Sequence, residues 1–382
     1  MQDLHTLYEK VQNGTRLTPE DALTLGTQGD FLTLAALADE RSKALNGTRV
    51  SFLIDRNINY TNICNVICRF CAFYRPKGHK QAWELTYEQI DQKIKETLEL
   101  HGTQILMQGG IHPDYKIDYY EQLVAHIKAN HKIDLHAFSP PEIHYFAKHS
   151  GLSNVEALTR LKAAGLDSIP GGGAEILVDE VRERIAIGKC NSQEWLDVME
   201  AAHSIGLRTT ATMMFGHAET WAHRIEHMRK LRDLQDRTHG FISFIPWTFQ
   251  PDNTALNPKL KKNTDVHIAS SHEYLRVLAT ARLFLDNFQH IQVSALTQGL
   301  KIAQTGLRFG ADDMGSVMLE ENVVSSAGCD GAAKLEDDLM IKAILESGHT
   351  PFQRNTLYGE VNAERTRELL ASLGTQSRFA AA

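Results

Sequence analysis

From residue 50 onward the chain alternates short apolar, β-like runs with amphipathic helical stretches. The β-like runs are VSFLIDRNINYTN (50–62), TQILMQGG (103–110), KIDLHAFSP (132–140), GLDSIPGGG (165–173), LRTTATMMFG (207–216), GFISFIPWTFQ (240–250), FQHIQVSA (288–295) and GLRFGADDMGS (306–316). Segments such as TYEQIDQKIKETLELHG (86–102) and SSHEYLRVLATARLFLD lie between them. Eight strands strictly alternating with helices predict an α/β fold in which a parallel sheet closes into a (β/α)8, TIM-type barrel. A chain of 382 residues holds such a barrel with additions at both ends. Residues 1–49 read as an N-terminal helical extension, in which Thr18 precedes Pro19, Glu20 and Asp21 as an N-cap. The barrel is expected over 50–316. Residues 317–382 read as a C-terminal helical segment packing on it, with the terminal SRFAAA expected to fray.

The barrel reading also says where function belongs, because sites on this fold gather at the C-terminal ends of the strands. The conspicuous sequences fall there: QGGIHP, FSPPE, PGGGAE, FGHAET, PWTFQP and a cluster of cysteines. Bulk composition narrows the classes. An apolar content of 42% with 23% charged residues is that of a soluble globular protein. The net charge of −7 and a single short basic stretch, KLKKN (259–263), argue against nucleic acid as a partner. FLTLAALA (31–38) is too short to span a bilayer, and no membrane partner is expected. Five cysteines, three of them within eight residues, make a poor disulfide framework and a good metal site in a reducing compartment. The expected location is the cytoplasm.

Those three are Cys64, Cys68 and Cys71, spaced C-x3-C-x2-C. Three chemistries compete for them: incidental buried thiols, a structural zinc site completed by His79 as Cys3His, and a [4Fe–4S] cluster. Structural zinc takes four protein ligands. A four-iron cluster held by three thiolates leaves one iron open to an exogenous ligand.

The motif C-x3-C-x-aromatic-C after the first strand of a (β/α)8 pattern resembles the radical SAM superfamily. The resemblance extends over most of 50–360, through DRNINYTNIC, ILMQGGIHPD, HAFSPPEI, GLDSIPGGGAEIL, ATMMFGHAET and FIPWTFQP. These segments resemble the branch that includes the menaquinone-pathway futalosine enzymes and the deazaflavin-forming synthases. The resemblance implies a radical SAM oxidoreductase or cyclase using a [4Fe–4S] cluster on Cys64, Cys68 and Cys71, with S-adenosyl-L-methionine as co-substrate. Within the branch it implies dehypoxanthine futalosine as the small-molecule substrate. Hydrogen is abstracted from ribose C4′, and the carbon radical closes onto the attached aromatic ring. A sister activity such as aminofutalosine synthase is the nearest alternative, and a zinc-stabilised hydrolase or scaffold is the alternative of a different class. A reducing electron donor such as flavodoxin or ferredoxin is implied as a partner.

The same resemblance suggests roles for single residues. Phe70 takes the aromatic place near the adenine. Gln108, Gly109 and Gly110 stand where the family binds the methionine amino group through backbone, although Ile111 replaces the usual Glu. Glu175 is expected at the SAM ribose, and Arg182, with Arg184 beside it in sequence, at the SAM carboxylate. Ser139, beside Glu142 on the proline-stiffened loop after the third strand, is expected at the cofactor. His217 and Glu219 form a candidate acid/base pair for the proton lost on rearomatisation. His112 with Asp114 invites a weaker version of the same argument. Trp247, Thr248 and Gln250 are candidates to line the substrate pocket, and Asp312 and Asp313 are candidates to bind sugar hydroxyls at the end of the eighth strand. Cys190 and Cys329 read as ordinary thiols.

Overall fold

The computed structural model describes residues 3–260, 265–329 and 336–376. The expected fraying of SRFAAA and most of the basic KLKKN stretch lie outside them. The strands are β1 (Arg49–Leu53), β2 (Asp55–Ile58), β3 (Ile67–Cys68), β4 (Gln104–Met107), β5 (Asp134–Ala137), β6 (Ser168–Ile169), β7 (Ala186–Ile187), β8 (Arg208–Phe215), β9 (Phe241–Thr248), β10 (His290–Ile291), β11 (Asp313–Ser316) and β12 (Thr350–Gln353).

Seven of them form one parallel sheet in the order β10-β9-β8-β6-β5-β4-β2. A second sheet, β11-β1-β12, is also parallel. Two seams bring the sheets together. β1 runs into β2 through Ile54, and a parallel bridge joins Gln292, just past β10, to Asp313 of β11. The sheet therefore curls round as a TIM-type barrel with the alternation read from the sequence. Helices cover it outside, burying apolar faces such as Ile90 and Ile94 or Leu123, Val124 and Ile127. Burial of this kind contributes roughly 1.5–3 kcal/mol per large apolar side chain and sets the order of the layers.

The N-terminal extension is three helices, Leu4–Gln12, Pro19–Gln28 and Phe31–Asn46. The cap at Thr18 forms as expected: its hydroxyl accepts the Asp21 N–H, and the Asp21 carboxylate accepts the Thr18 N–H. Arg276 ties these helices to the barrel by donating to the carbonyls of Gly26 and Gly29.

Two features differ from the sequence reading. The stretch before the eighth strand is helical (Leu300–Gly306), and β11 begins at Asp313, so Asp312 and Asp313 open that strand instead of ending it. They sit at the base of the barrel, where Asp312 pairs with Arg282 and His290. The C-terminal segment carries β12 beside its helices. β12 pairs with β1 as far as Gln353–Phe52, just before the Thr103 N–H reaches the Ile54 carbonyl and β4 takes over. The chain after β12 thus forms the barrel floor.

Candidate active site

The inward-facing positions of a closed barrel are normally packed with branched apolar side chains. Here they enclose a cavity of about 270 Å3 with many polar groups. The two-residue period of a strand picks out its walls: Leu53, Asp55, Asn57 and Asn59; Gln104, Leu106 and Gln108; Thr210 and Thr212; Ser243, Ile245 and Trp247. Arg354, Thr356 and Tyr358, from the chain after β12, line its floor. Of the three candidates at the end of the sixth strand, Trp247 lines this cavity, whereas Thr248 and Gln250 are not among its lining residues.

The upper wall leads into the cysteine loop. Gly110 donates its N–H to the Thr61 carbonyl, and the Gly109 N–H goes to Glu142. A Cβ on Gly110 would lie 2.2 Å from the Ile63 carbonyl oxygen, and one on Gly109 would lie 2.5 Å from the Tyr60 ring. These glycines therefore let the segment before Cys64 lie against the end of β4. Gly110→Ala is expected to cost about 1–3 kcal/mol through this backbone clash. It also displaces the cysteine loop. Thermal stability and iron uptake after anaerobic reconstitution should both fall.

The loop is stitched in place from its other side. β3 pairs antiparallel with β7 (Ile67 with Ile187, Cys68 with Ala186), and the Arg69 N–H donates to the Ile185 carbonyl. Backbone N–H groups of Val66 and Ile111 point at the Cys64 sulfur, and those of Phe73 and Tyr74 at Cys71. Burial pushes all three thiols up, Cys68 to about 12, and the sulfurs raise one another. Three cysteines on one loop, with N–H donors aimed at the sulfurs of Cys64 and Cys71, suit thiolate ligation of an iron–sulfur cluster, whose potential such hydrogen bonds tune. The zinc alternative lacks its fourth ligand: His79 is exposed, with its Nδ1 accepting the Gln81 N–H.

Beside the thiols lies a group the sequence did not single out, Lys189. It donates to Glu175 Oε1 at 2.8 Å and sits 5.2 Å from the centre of the Phe70 ring. Burial works against its charge, but Glu175 and the Cys68 sulfur hold its pKa above the ordinary lysine range. Its only sequence signal is its place just after a helix, and the β3–β7 ribbon that brings it to the cysteines is a long-range pairing. The other Glu175 oxygen, Oε2, is buried without a hydrogen-bond partner. Glu175 also has a positive φ of 41°. Strain and an unsatisfied acceptor at one residue are the marks of a ligand position. Both the thiols and Glu175 therefore fit the cofactor pair.

Four residues expected at the site are engaged by the protein itself. His217 is fully buried, with Nε2 donating to the Met214 carbonyl at 3.0 Å and Nδ1 accepting the Ala218 N–H at 2.7 Å. Both ring nitrogens are engaged, and burial lowers its pKa. Glu219 accepts the N–H groups of Gly216 and His217 and pairs with Arg224. Burial raises its carboxyl, but Arg224, His217 and the N–H groups outweigh that and bring it to about 2. Neither is placed to take a proton. Arg182 donates to the carbonyls of Gly173, Ala174 and Cys190, so it braces the glycine loop that carries Glu175. Ser139 caps helix Pro140–Ser150 and donates to Glu142 at 2.6 Å. Arg184 pairs with Asp265, and Asp114 with Lys77 at the surface. His112 is buried, accepts the Asp114 N–H and stacks on Tyr115.

Comparison with known proteins bears on this geometry. A family model described as the radical SAM superfamily matches residues 58–231, and one described as the CofH/MqnC C-terminal region matches residues 238–366. The cyclic dehypoxanthine futalosine synthase of Streptomyces coelicolor is 45% identical over 362 residues, covering 93% of this chain and 88% of that protein. The protein of the same name from Halalkalibacterium halodurans is 42% identical over 364 residues, with coverage of 95% and 96%. Among solved structures, the FeFe-hydrogenase maturase HydG of Carboxydothermus hydrogenoformans aligns with a TM-score of 0.73 at 18% identity, covering 93% of this chain and 80% of that one. At that identity the likeness speaks for the fold.

Proposed function

Since the chain belongs to the radical SAM superfamily, in the branch that carries the CofH/MqnC C-terminal region, we infer that it converts dehypoxanthine futalosine to cyclic dehypoxanthine futalosine in the futalosine route to menaquinone. The observation that carries this reading is 45% identity, across 93% of the chain, to a protein named for that reaction. When bound, the [4Fe–4S] cluster and S-adenosyl-L-methionine supply a 5′-deoxyadenosyl radical that takes hydrogen from the substrate ribose at C4′.

The chain's own residues supply the setting. Cys64, Cys68 and Cys71 hold the cluster. Glu175 Oε2, unpartnered in its buried place, accepts from a ribose hydroxyl of the co-substrate. Lys189 fixes Glu175 through its other oxygen and lies over Phe70, the aromatic assigned to the adenine. The N–H groups of Gly109 and Gly110 are engaged within the protein, so this segment meets an ammonium group with carbonyl oxygens. The barrel cavity receives the nucleoside-like substrate and keeps water from the radical. Flavodoxin or ferredoxin is the proposed electron donor. The cytoplasm is the proposed compartment, because reducing conditions keep the three thiols free for the cluster. Among the described residues no helix is long and apolar enough to cross a membrane.

The test is product analysis. Anaerobically reconstituted, reduced protein with S-adenosyl-L-methionine is offered dehypoxanthine futalosine and, separately, the substrates of aminofutalosine synthase and of the deazaflavin-forming enzymes. Mass spectrometry should find the cyclised nucleoside in the first mixture. A product from one of the other mixtures, with 5′-deoxyadenosine but no cyclised nucleoside from the first, would overturn the reading in favour of the sister activity.

A further inference from the structure

We propose that Asp55 is the catalytic base of the ring closure, taking up inside the barrel cavity the proton that the substrate ring must lose. The proposal rests on the reaction just inferred, in which the C4′ radical adds to the attached aromatic ring. Addition forms a C–C bond and leaves the attacked ring carbon still bearing its hydrogen. That C–H bond then breaks with its electron pair returning to the ring, the proton passing to a carboxylate oxygen of Asp55. The surplus electron of the resulting ring radical anion goes to the oxidised iron–sulfur cluster. In an enclosed cavity the proton needs an acceptor already in place.

Asp55 lines the cavity, and two neighbours aim its carboxylate while leaving both oxygens room for a further donor. Its Oδ1 accepts from Ser316 Oγ at 2.5 Å and its Oδ2 from Gln104 Nε2 at 3.0 Å. Each oxygen retains a lone pair. It lies in the middle of the wall formed by Leu53, Asp55, Asn57 and Asn59. The other acids and the histidine nearby carry more hydrogen bonds or are weaker bases, and Asp313 is not among the lining residues. Asp313 accepts from Arg354, Tyr358 and the Gly315 N–H. Glu321 accepts the N–H groups of Val323, Val324 and Ser325. His136 lies between the hydroxyls of Ser168 and Thr210, and burial with Arg354 pushes it down to about 3, too weak a base.

The charges facing Asp55 are Arg354 and Asp313 from the floor; Arg56, next in the chain, turns outward to Glu96 and Glu320. Burial raises the Asp55 carboxyl to about 6, against the opposing pull of Ser316, Arg354 and Gln104. It is therefore ionised at neutral pH and more basic than an ordinary aspartate, which suits proton uptake.

The test uses the loaded enzyme with dehypoxanthine futalosine, reading cyclised product and 5′-deoxyadenosine separately. Asp55→Asn should hold its iron and release 5′-deoxyadenosine within about threefold of the parent, while product per deoxyadenosine falls at least about tenfold. Frozen samples should show an accumulated organic radical by electron paramagnetic resonance. Asp55→Glu should restore part of the product ratio. In the parent enzyme that ratio should fall as the pH drops below about 6, where the carboxylate becomes protonated. A ratio that stays flat from about pH 5 to about pH 8, or an Asp55→Asn protein that cyclises within about twofold of the parent, would overturn the assignment. Should Asp55→Asn fail to fold, the parent's pH profile decides. A parent enzyme that makes no cyclised product refutes the functional reading first, and the base assignment with it.

Discussion

Cys68→Ser is expected to abolish turnover while leaving the polypeptide folded. Serine keeps the shape of the side chain, and the backbone pairing of Cys68 with Ala186 in the β3–β7 ribbon does not depend on the sulfur. The hydroxyl, however, offers no thiolate to iron. Loss of even a supporting residue around a metal centre lowers affinity or activity by roughly 10–100-fold, so loss of a ligand should exceed about a hundredfold. Iron and sulfide per chain, visible absorbance and deoxyadenosine release should drop together in anaerobically reconstituted protein, with the melting temperature of the cluster-free form nearly unchanged. Because burial raises the thiol to about 12, Cys68 is protonated until the cluster binds. Loading must then release protons, and its apparent affinity should increase with pH. A Cys68→Ser protein that retains full iron and activity would remove Cys68 from the ligand set.

The alternation of apolar strands with amphipathic helices was enough to read the barrel, because each element announces itself locally through its period and its caps. The capping box at Thr18 and the buried stripe of Tyr87–Glu99 are examples. What escaped was set by partners distant in sequence. β12 is a four-residue strand whose assignment depends on meeting β1 about three hundred residues earlier, and TPFQ has no periodicity of its own. GLRFGADDMGS is apolar enough to read as one run, which puts Asp312 and Asp313 at the wrong end of their strand. In the fold its first half belongs to a helix and the turn after it.

The site divided along the same line. Three cysteines in eight residues are legible as chemistry without any structure. His217 and Glu219 looked like an acid/base pair only because adjacency in sequence says nothing about hydrogen-bond saturation. In the fold, carbonyls, N–H groups and Arg224 occupy both. Lys189 and Asp55 were invisible for the converse reason. A single lysine after a helix or an aspartate in a strand is unremarkable until β3 meets β7, or until a two-residue period turns the aspartate into a cavity with Gln104 and Ser316 beside it.

Arg354→Met should be the most destabilising single change at the barrel floor. The guanidinium is almost wholly buried, donating through Nε to Asp313 at 2.8 Å and through Nη2 to Gln292 at 3.2 Å, with its plane 4.2 Å from the centre of the Tyr358 ring. Methionine fills much of the volume but leaves the buried Asp313 carboxylate without its cation. Breaking a buried pair from one side costs about 3–5 kcal/mol, whereas replacing both partners by apolar groups is often close to neutral. Thermal and urea unfolding should therefore show a large loss for Arg354→Met, and Asp313→Leu/Arg354→Met should recover a good part of it. If the double variant is no more stable than Arg354→Met, the loss comes from packing against Tyr358 instead of from the stranded charge. Arg354 also pulls the Asp55 carboxyl down against burial. Removing it should lift Asp55 further, so the acid fall in cyclised product per deoxyadenosine should move to higher pH in Arg354→Met. The floor contributed by the C-terminal segment would then set both the stability of the barrel and the proton affinity of the group facing its substrate.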